Sequence, residues 1–299
     1  MESTSPPSRH PPQRRLPPWL RKTLPAGGEL RRTADIVARS GVATVCQEAH
    51  CPNQGECWSR RTATFMILGD LCTRRCRFCA VATARPKAPD ANEPEKLAEA
   101  CAALGLRHVV ITAVARDDLP DEGAGHFARC VETLRRHCPT ATIEVLPADF
   151  HARRECIETL CQARPDVYNH NIETVERLTP IVRPQAKYHR SLEVPRIVKS
   201  LVPDMTTKSG LMIGLGETHD EILATLTDLR GAGCDMLTIG QYLQPSPAHA
   251  PVARYYEPAE FDALGATARE LGFAQVAAGP FVRSSYHAAE DFDALATSG

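Results

Sequence analysis

Three cysteines, Cys72, Cys76 and Cys79, lie close together in the segment CTRRCRFC, with the spacing C-x3-C-x2-C and no fourth cysteine in the same run. Zinc sites usually use pairs of cysteines, with a second pair or two histidines elsewhere. A 4Fe-4S cluster needs one protein ligand for each iron, and thiolates are the usual ligands. Three thiolates leave one iron open, and an open metal position can bind a substrate or a cofactor. The motif predicts such a cluster, with a zinc site as the alternative.

A second group of three cysteines precedes the first along the chain. Cys46, Cys51 and Cys57 have the spacing C-x4-C-x5-C, so that they also offer three thiolates. Clustered cysteines in a reducing compartment indicate metal binding or catalysis rather than disulfides. The chain has twelve cysteines in all. Six are scattered, and we expect them to be small buried hydrophobic residues: Cys101, Cys130, Cys138, Cys156, Cys161 and Cys234.

The elements that position these cysteines follow from an alternation of apolar runs and helical segments. Helix-period segments between strand-like runs predict βαβ units and a parallel sheet. Six such repeats predict an α/β fold, a partial (β/α)6 barrel of the TIM type, because a full barrel needs eight. The strand-like runs are 62–68, 108–114, 142–148, 166–172, 209–215 and 236–243, and a further run lies at 273–281.

The cysteine motif at 72–79 comes directly after the first predicted strand, 62–68. In parallel barrels, functional groups lie at the carboxyl ends of the strands and in the loops that follow them. We therefore expect the three thiolates at the mouth of the barrel. This position favours the iron-sulfur cluster over a structural zinc site.

Charge and hydropathy exclude several classes of protein. The 299-residue chain has a net charge of −1, which argues against binding nucleic acid through overall charge. It has no apolar run of about 18 residues and no secretory signal, so we expect a cytoplasmic protein without a membrane segment. The expected organisation is a disordered Pro/Arg-rich tail at 1–15, an N-terminal extension at 16–62, the barrel at 63–257 and a C-terminal extension at 258–299. We expect the two extensions to close the barrel mouth.

The motif at 72–79 resembles the signature of the radical S-adenosylmethionine enzymes, C-x3-C-x-aromatic-C, with Phe78 at the aromatic position. In that family S-adenosylmethionine binds the open iron and is cleaved to methionine and a 5′-deoxyadenosyl radical. With the upstream cysteines, the sequence is similar to the lipoyl synthases from about residue 17 onward. The matching segments include ATFMILGDLCTRRCRFCAV, HVVITAVARDDLPDEGAGHFA, VYNHNIETV, KSGLMIGLGET and GPFVRSSYHA.

The resemblance implies a reaction and its participants. Lipoyl synthases insert two sulfur atoms, at carbons six and eight, into an octanoyl chain on a lysine of a carrier protein. An auxiliary 4Fe-4S cluster, held by the first three cysteines and a serine of the RSSY motif, supplies the sulfur and is consumed. We assign that serine to Ser285, with Ser284 as the alternative, and place it with Cys72, Cys76 and Cys79 among the catalytic residues.

The resemblance also implies partners. The substrate is an octanoylated lipoyl carrier protein or lipoyl domain, such as the glycine cleavage H protein or the E2 component of a 2-oxoacid dehydrogenase. A low-potential electron donor and an iron-sulfur carrier that rebuilds the spent cluster are also implied.

Five further residues are candidates for binding S-adenosylmethionine. Asn171 and Glu173 close the fourth predicted strand and could hold the ribose or amino group of the cofactor, or form an ordinary polar rim. Arg183 could pair with a carboxylate or be solvated. Gly214 and Gly216 end the fifth predicted strand, where they could let the backbone approach the methionyl part of the cofactor or simply form a βα turn.

Two other classes of protein carry cysteine clusters. An electron carrier usually completes each cluster with four cysteines, so two incomplete groups argue against a non-enzymatic iron-sulfur or zinc protein. Another sulfur-inserting radical enzyme, such as a biotin synthase or a methylthiotransferase, would share the motif at 72–79. The upstream C-x4-C-x5-C group and the RSSY motif favour the lipoyl synthases over these.

Overall fold

Parallel strands with almost uninterrupted apolar sequence form the centre of the fold. Phe65 and Ile67 in one strand, and Val109 and Ile111 in the next, have no exposed surface. Successive side chains of a strand point to opposite faces, and both faces of a parallel sheet are covered when helices pack on one side and the barrel interior is filled. The strands therefore lack the polar alternation of half-exposed strands, which is why they are visible in the sequence.

The computed structural model describes residues 16–22 and 27–298, so the predicted tail at 1–15 lies outside the described residues. The strands are β1 (Ala43–Thr44), β2 (Thr64–Ile67), β3 (His108–Ala113), β4 (Thr142–Leu146), β5 (Val167–Asn169), β6 (Thr206–Ile213), β7 (Met236–Gln241) and β8 (Gln275–Gly279). The α-helices are α1 (Gly28–Ser40), α2 (Val45–Glu48), α3 (Gln54–Ser59), α4 (Glu93–Leu104), α5 (Ala124–His137), α6 (Arg154–Gln162), α7 (Thr179–Val182), α8 (Tyr188–Leu201), α9 (His219–Gly231), α10 (Pro258–Glu270) and α11 (Ala288–Ser298).

The eight strands form one sheet in the order β1 to β8. Strands β2 to β8 are parallel to their neighbours, whereas β1 is antiparallel to β2, with Ala43 opposite Met66. Among the described residues β8 pairs only with β7, so the sheet is an open, partial barrel. The predicted fold class is confirmed, and the run at 273–281 adds β8 as a seventh parallel strand.

The N-terminal extension packs on the outside of the barrel next to its first strand. Helix α1 contacts α3 and α4, and the Thr33 hydroxyl donates to the Trp58 carbonyl at 2.8 Å. The Trp58 side chain is buried in the same core as β2 and β3. This packing fixes α3, and with it Cys57, relative to the barrel.

The C-terminal helix α11 lies at the amino-terminal end of the barrel. The Asp291 carboxylate accepts a hydrogen bond of 3.1 Å from Gln275, the first residue of β8. The ring of Phe292 lies 6.0 Å from that of His108, the first residue of β3. The expected closure of the barrel mouth by both extensions is therefore not confirmed. After β8 the chain runs close to Gly240 of β7, Gly210 of β6 and Thr64 of β2, and α11 then covers the amino-terminal end.

Candidate active site

The loop after β2 carries Cys72, Cys76 and Cys79, as the order of the elements predicts. Cys72 pairs with a second segment of the loop, because its N–H donates to the Ala82 carbonyl at 2.8 Å. Its sulfur accepts backbone N–H groups from Arg74 at 3.4 Å and Ala115 at 3.3 Å. Hydrogen bonds to cysteine sulfur are a recurrent feature of iron-sulfur sites and adjust their reduction potential.

Arg74 anchors this loop to the barrel. Its buried guanidinium makes an ion pair of 2.7 Å with Asp117, after β3, and one of 2.8 Å with Asp149, after β4. Burial alone would raise the pKa of Asp149, but the charge of Arg74 holds that pKa well below its usual range. The segment between Cys72 and Cys76 is therefore fixed by charge at the carboxyl ends of two neighbouring strands.

The three cysteines of this group are half-buried. Burial raises the pKa of Cys76 to about 11 and that of Cys79 to about 12. Such thiols are protonated at neutral pH unless a metal supplies positive charge, and metal binding then releases the protons. Phe78, next to Cys79, packs on the second hydrophobic core of the barrel and supports the loop.

Asn171, Glu173 and Arg183 lie near the same cysteines. The Asn171 amide donates to Glu173 at 3.0 Å, and burial raises the pKa of Glu173. Glu173 has a φ of 65°, which is rare for a residue other than glycine and marks a backbone held by its surroundings. Burial raises the pKa of Cys76, the Arg183 charge lowers it, and the Glu173 charge raises it, so these two charges act on the thiol. Arg183 Nη1 donates to the Ile172 carbonyl at 2.8 Å, while its buried Nε has no hydrogen-bond partner among the described residues.

Gly214 and Gly216 follow β6 and have φ values of 108° and 107°. A Cβ on Gly214 would lie 2.1 Å from Gln241 Nε2 and 2.6 Å from the Arg254 carbonyl oxygen. The backbone N–H of Gly214 donates to the Glu217 carboxylate at 2.5 Å. The turn therefore needs glycine at 214 for close packing, whereas a Cβ on Gly216 would have only one neighbour, at 3.7 Å.

The first group of cysteines lies at the amino-terminal end of β2. Cys46 is in α2, Cys57 is in α3, and the backbone N–H of Cys51 donates to the Cys46 carbonyl at 3.1 Å between them. Burial raises the pKa of Cys46 and raises that of Cys57 to about 12. All three cysteines line one small cavity together with Thr64, the first residue of β2.

The two serines of RSSY have different surroundings. Ser285 lines the cavity of the first cysteine group, and its oxygen accepts a hydrogen bond of 2.7 Å from the Thr64 hydroxyl. Ser284 instead accepts a hydrogen bond of 2.7 Å from the Asn171 amide. The structure therefore brings Ser285, and not Ser284, to Cys46, Cys51 and Cys57.

The sulfur atoms of each group are not gathered around one point. Among the described residues, neither set of three cysteines has all its sulfur atoms within 4.8 Å of one another. Around one tetrahedral zinc ion, with bonds of about 2.3 Å, the sulfurs would lie only about 3.8 Å apart. All twelve cysteines are free thiols. Two separate groups of three free thiols are the donor sets that two iron-sulfur clusters would use.

Comparison with known proteins decides the family. The model of the radical SAM superfamily matches residues 66–229. A curated lipoyl synthase of Methylococcus capsulatus is 56% identical over 275 residues, which cover 92% of this chain and 85% of that protein. Lipoyl synthase 2 of Thermosynechococcus vestitus is 54% identical over 284 residues, which cover 93% and 98%. The chain belongs to the lipoyl synthase family.

Two solved structures share the fold. The maturase HydG of Carboxydothermus hydrogenoformans has a TM-score of 0.59 and 14% identity, covering 78% of this chain and 56% of that one. Methylornithine synthase has a TM-score of 0.52 and 15% identity, covering 64% and 56%. This lipoyl synthase is thus built on the partial barrel that these proteins share.

Family membership confirms several predictions. The protein is a radical S-adenosylmethionine enzyme that inserts sulfur in the formation of the lipoyl group, and its cofactors are S-adenosylmethionine and two 4Fe-4S clusters. Of the six scattered cysteines, five are buried as expected and Cys138 is half-buried. No helix in the described ranges is long and apolar enough to cross a membrane.

Several residues around the two sites were not predicted from the sequence. Arg74 anchors the cysteine loop, and nothing in the sequence separates it from the neighbouring Arg75 and Arg77, which are not buried. The sequence did contain a signal for the path of the RSSY segment, because Gly210 and Gly240 interrupt apolar strands. A Cβ on Gly240 would lie 2.1 Å from the Val282 carbonyl oxygen, and one on Gly210 would lie 2.9 Å from Ser284 Oγ. Glycine within a strand often marks such a close backbone approach.

Proposed function

We propose that this lipoyl synthase inserts two sulfur atoms, at carbons six and eight of an octanoyl chain on a lysine of a carrier protein. The carrier is a lipoyl domain or lipoyl carrier protein, such as the glycine cleavage H protein or a 2-oxoacid dehydrogenase E2, in the cytoplasm. An electron donor of low potential and an iron-sulfur carrier complete the system. Residues 16–62 and 258–299 serve the sulfur-donor site, and residues 63–257 serve radical formation. Family membership at more than 50% identity supports this proposal.

Cys46, Cys51, Cys57 and Ser285 hold the cluster that is consumed as the sulfur donor. The presence of Ser285 in the same cavity as the three cysteines is the observation that carries this assignment. An alkoxide is a harder ligand than a thiolate and is released on protonation. The iron at Ser285 is therefore the one that the cluster loses most easily. The Thr64 hydroxyl donates to the serine oxygen and supports its anionic form.

Cys72, Cys76 and Cys79 hold the second cluster, which when bound supplies the electron that cleaves S-adenosylmethionine. Asn171, Glu173 and Arg183 bind the polar groups of that cofactor, supported by their position beside Cys76. The unpartnered Nε of Arg183 suits a carboxylate. Phe78 fixes the loop, and the turn with Gly214 and Gly216 lies against the methionyl part.

The experiment that tests this division uses two triple variants. Wild-type protein should bind about eight irons and about eight sulfides per chain. Replacing Cys72, Cys76 and Cys79 by alanine should leave one cluster and abolish cleavage of S-adenosylmethionine. Replacing the other three cysteines should also leave one cluster but retain formation of 5′-deoxyadenosine. If both variants keep one cluster and both lose cleavage, the assignment of roles is wrong.

Ser285 is tested with its neighbour as the matched control. We expect Ser285→Ala to form 5′-deoxyadenosine but to lower sulfur insertion at least about tenfold, because the weak iron has lost its ligand. Ser285→Cys should hold the iron more firmly and also impair insertion. Mass analysis of the octanoylated lysine measures sulfur insertion in both variants. Wild-type insertion by Ser285→Ala, with loss in Ser284→Ala, would show that the wrong serine was assigned.

A further inference from the structure

Three segments that are far apart in the sequence meet at the carboxylate of Glu56. Lys22 Nζ lies 2.7 Å from Glu56 Oε2, and the Tyr286 hydroxyl donates to Glu56 Oε1 at 2.7 Å. His287 Nε2 lies 3.4 Å from the same Oε1. One carboxylate thus joins the N-terminal segment, helix α3 and the C-terminal segment.

The partners of this contact flank the residues proposed to hold the donor cluster. Glu56 precedes Cys57, and Tyr286 follows Ser285. The hydrogen bond from Tyr286 to Glu56 therefore ties the backbone next to the serine to the helix that carries a cysteine. Because α3 is packed on the barrel through Trp58, it is the fixed side of this contact.

Lys22 holds the aromatic rings of the C-terminal segment in place. Its ammonium group lies 4.4 Å from the centre of the Phe281 ring and 5.0 Å from that of Tyr286. It also donates to Asn53 Oδ1 at 2.7 Å, and Asn53 Nδ2 donates to the Phe281 carbonyl at 2.7 Å. The C-terminal segment is thus fastened to α3 on both sides of Ser285.

We propose that Glu56 and Tyr286 are positioning residues that hold Ser285 against the first cysteine group. This proposal rests on the proposed role of Ser285 as a ligand. A serine oxygen competes with water for iron, and its side chain sits in a segment without regular structure, so binding depends on how well that segment is preorganised. When the contact between Tyr286 and Glu56 is lost, the serine leaves its iron more often and that iron is exchanged more readily.

The test uses a chain that contains only the donor cluster, with Cys72, Cys76 and Cys79 replaced by alanine. In this background Tyr286→Phe removes one hydroxyl and one hydrogen bond. The rate of iron release to a ferrous chelator should rise about tenfold, since a hydrogen bond to a charged group is lost. Electron paramagnetic resonance after mild oxidation should show more of a 3Fe-4S cluster, the product of losing one iron.

A matched control lies elsewhere in the barrel. The Tyr188 hydroxyl donates to Asp228 at 2.8 Å, between α8 and α9, so Tyr188→Phe is the same chemical change in the same kind of contact. This control should leave the iron release rate and the resonance signal unchanged. Glu56→Ala breaks the contact at Tyr286 from the other side and also removes the partner of Lys22, so it should raise the release rate at least as much as Tyr286→Phe, and the test survives if one variant fails to fold.

Combination with Ser285→Ala separates this inference from the proposed function. If Tyr286 acts through the serine, Tyr286→Phe should add nothing to the release rate of the Ser285→Ala protein. Suppose that Ser285→Ala releases iron faster but Tyr286→Phe releases it at the rate of the Tyr188→Phe control. That result would overturn the positioning role alone. An unchanged Ser285→Ala protein would instead overturn the ligand assignment.

Discussion

Replacing Arg74 by methionine should destabilise the protein and empty the site of the radical cluster first. The methionine keeps much of the apolar stem and removes the guanidinium from between Asp117 and Asp149. Breaking one side of a buried ion pair costs about 3–5 kcal/mol, because a buried charge is left uncompensated. Asp149 is fully buried but retains Arg190 at 2.8 Å, and the side chain of Asp117 is 27% exposed. We therefore expect the lower end of the range, about 3 kcal/mol.

The assay is urea unfolding at pH 7, with iron counted on the same samples. Arg74→Met should lower the free energy of unfolding by that amount and bring the iron content towards about four per chain, as the loop with Cys72 and Cys76 loses its anchor. Without Arg74, the only ion-pair partner of Asp117 among the described residues is His151, at 3.9 Å, so adding Asp117→Asn removes the carboxylate left without an arginine and should recover part of the stability. Arg136→Met is the control, since its ion pair with Glu95 is exposed and is worth at most about 1 kcal/mol.

The result that would refute this reasoning is an Arg74→Met protein within about 1 kcal/mol of wild type, equal to the Arg136→Met control. A large loss that Asp117→Asn does not reduce would show instead that Arg74 acts by filling space.

Two further predictions concern the barrel. Gly214→Ala should destabilise the protein by about 3 kcal/mol more than Gly216→Ala in urea unfolding, because both suffer the same backbone strain but only the first places a Cβ against Gln241 and Arg254; equal losses would contradict the steric argument. His170 is buried, and burial lowers its pKa to about 4. Below about pH 6.5 the imidazole is therefore protonated in the unfolded state but stays neutral in the folded state. Stability should fall by about 2 kcal/mol between pH 7 and pH 5 through this residue, and His170→Gln should show a shallower loss over that window; an identical slope would contradict it.

Much of the barrel was predictable because its strands are buried on both faces. Every strand from β2 to β8 falls within, or within three residues of, a predicted run. Strand ends were less predictable, since tertiary contacts set them. The fourth run was expected at 166–172, but β5 stops at Asn169, and Glu173 turns into a left-handed conformation to pair with Gly210 and Met212 of β6.

The candidate site was also only partly predictable from the sequence. The loop with Cys72 could be placed because it follows a strand, and the rule that functional loops lie at carboxyl ends applies to it. The cysteines at 46–57 precede β2, so no such rule reaches them. Their meeting with Ser285 depends on Thr64 and on the packing of α3, and only the family resemblance pointed to that serine.

Strand β2 fixes the relation between the two sites. The first cysteine group lies at Thr64, where the strand begins, and the second lies in the loop after Ile67, where it ends. The strand spans three residue steps of about 3.3 Å, so its two ends lie roughly 10 Å apart. The RSSY segment crosses the same interval, because Ser284 contacts Asn171 on the side of the second group while Ser285 contacts Thr64. Two consecutive serines of this segment thus have partners at different cysteine groups. Ser284→Ala should therefore leave the first cysteine group unchanged, which makes it the matched control for Ser285→Ala.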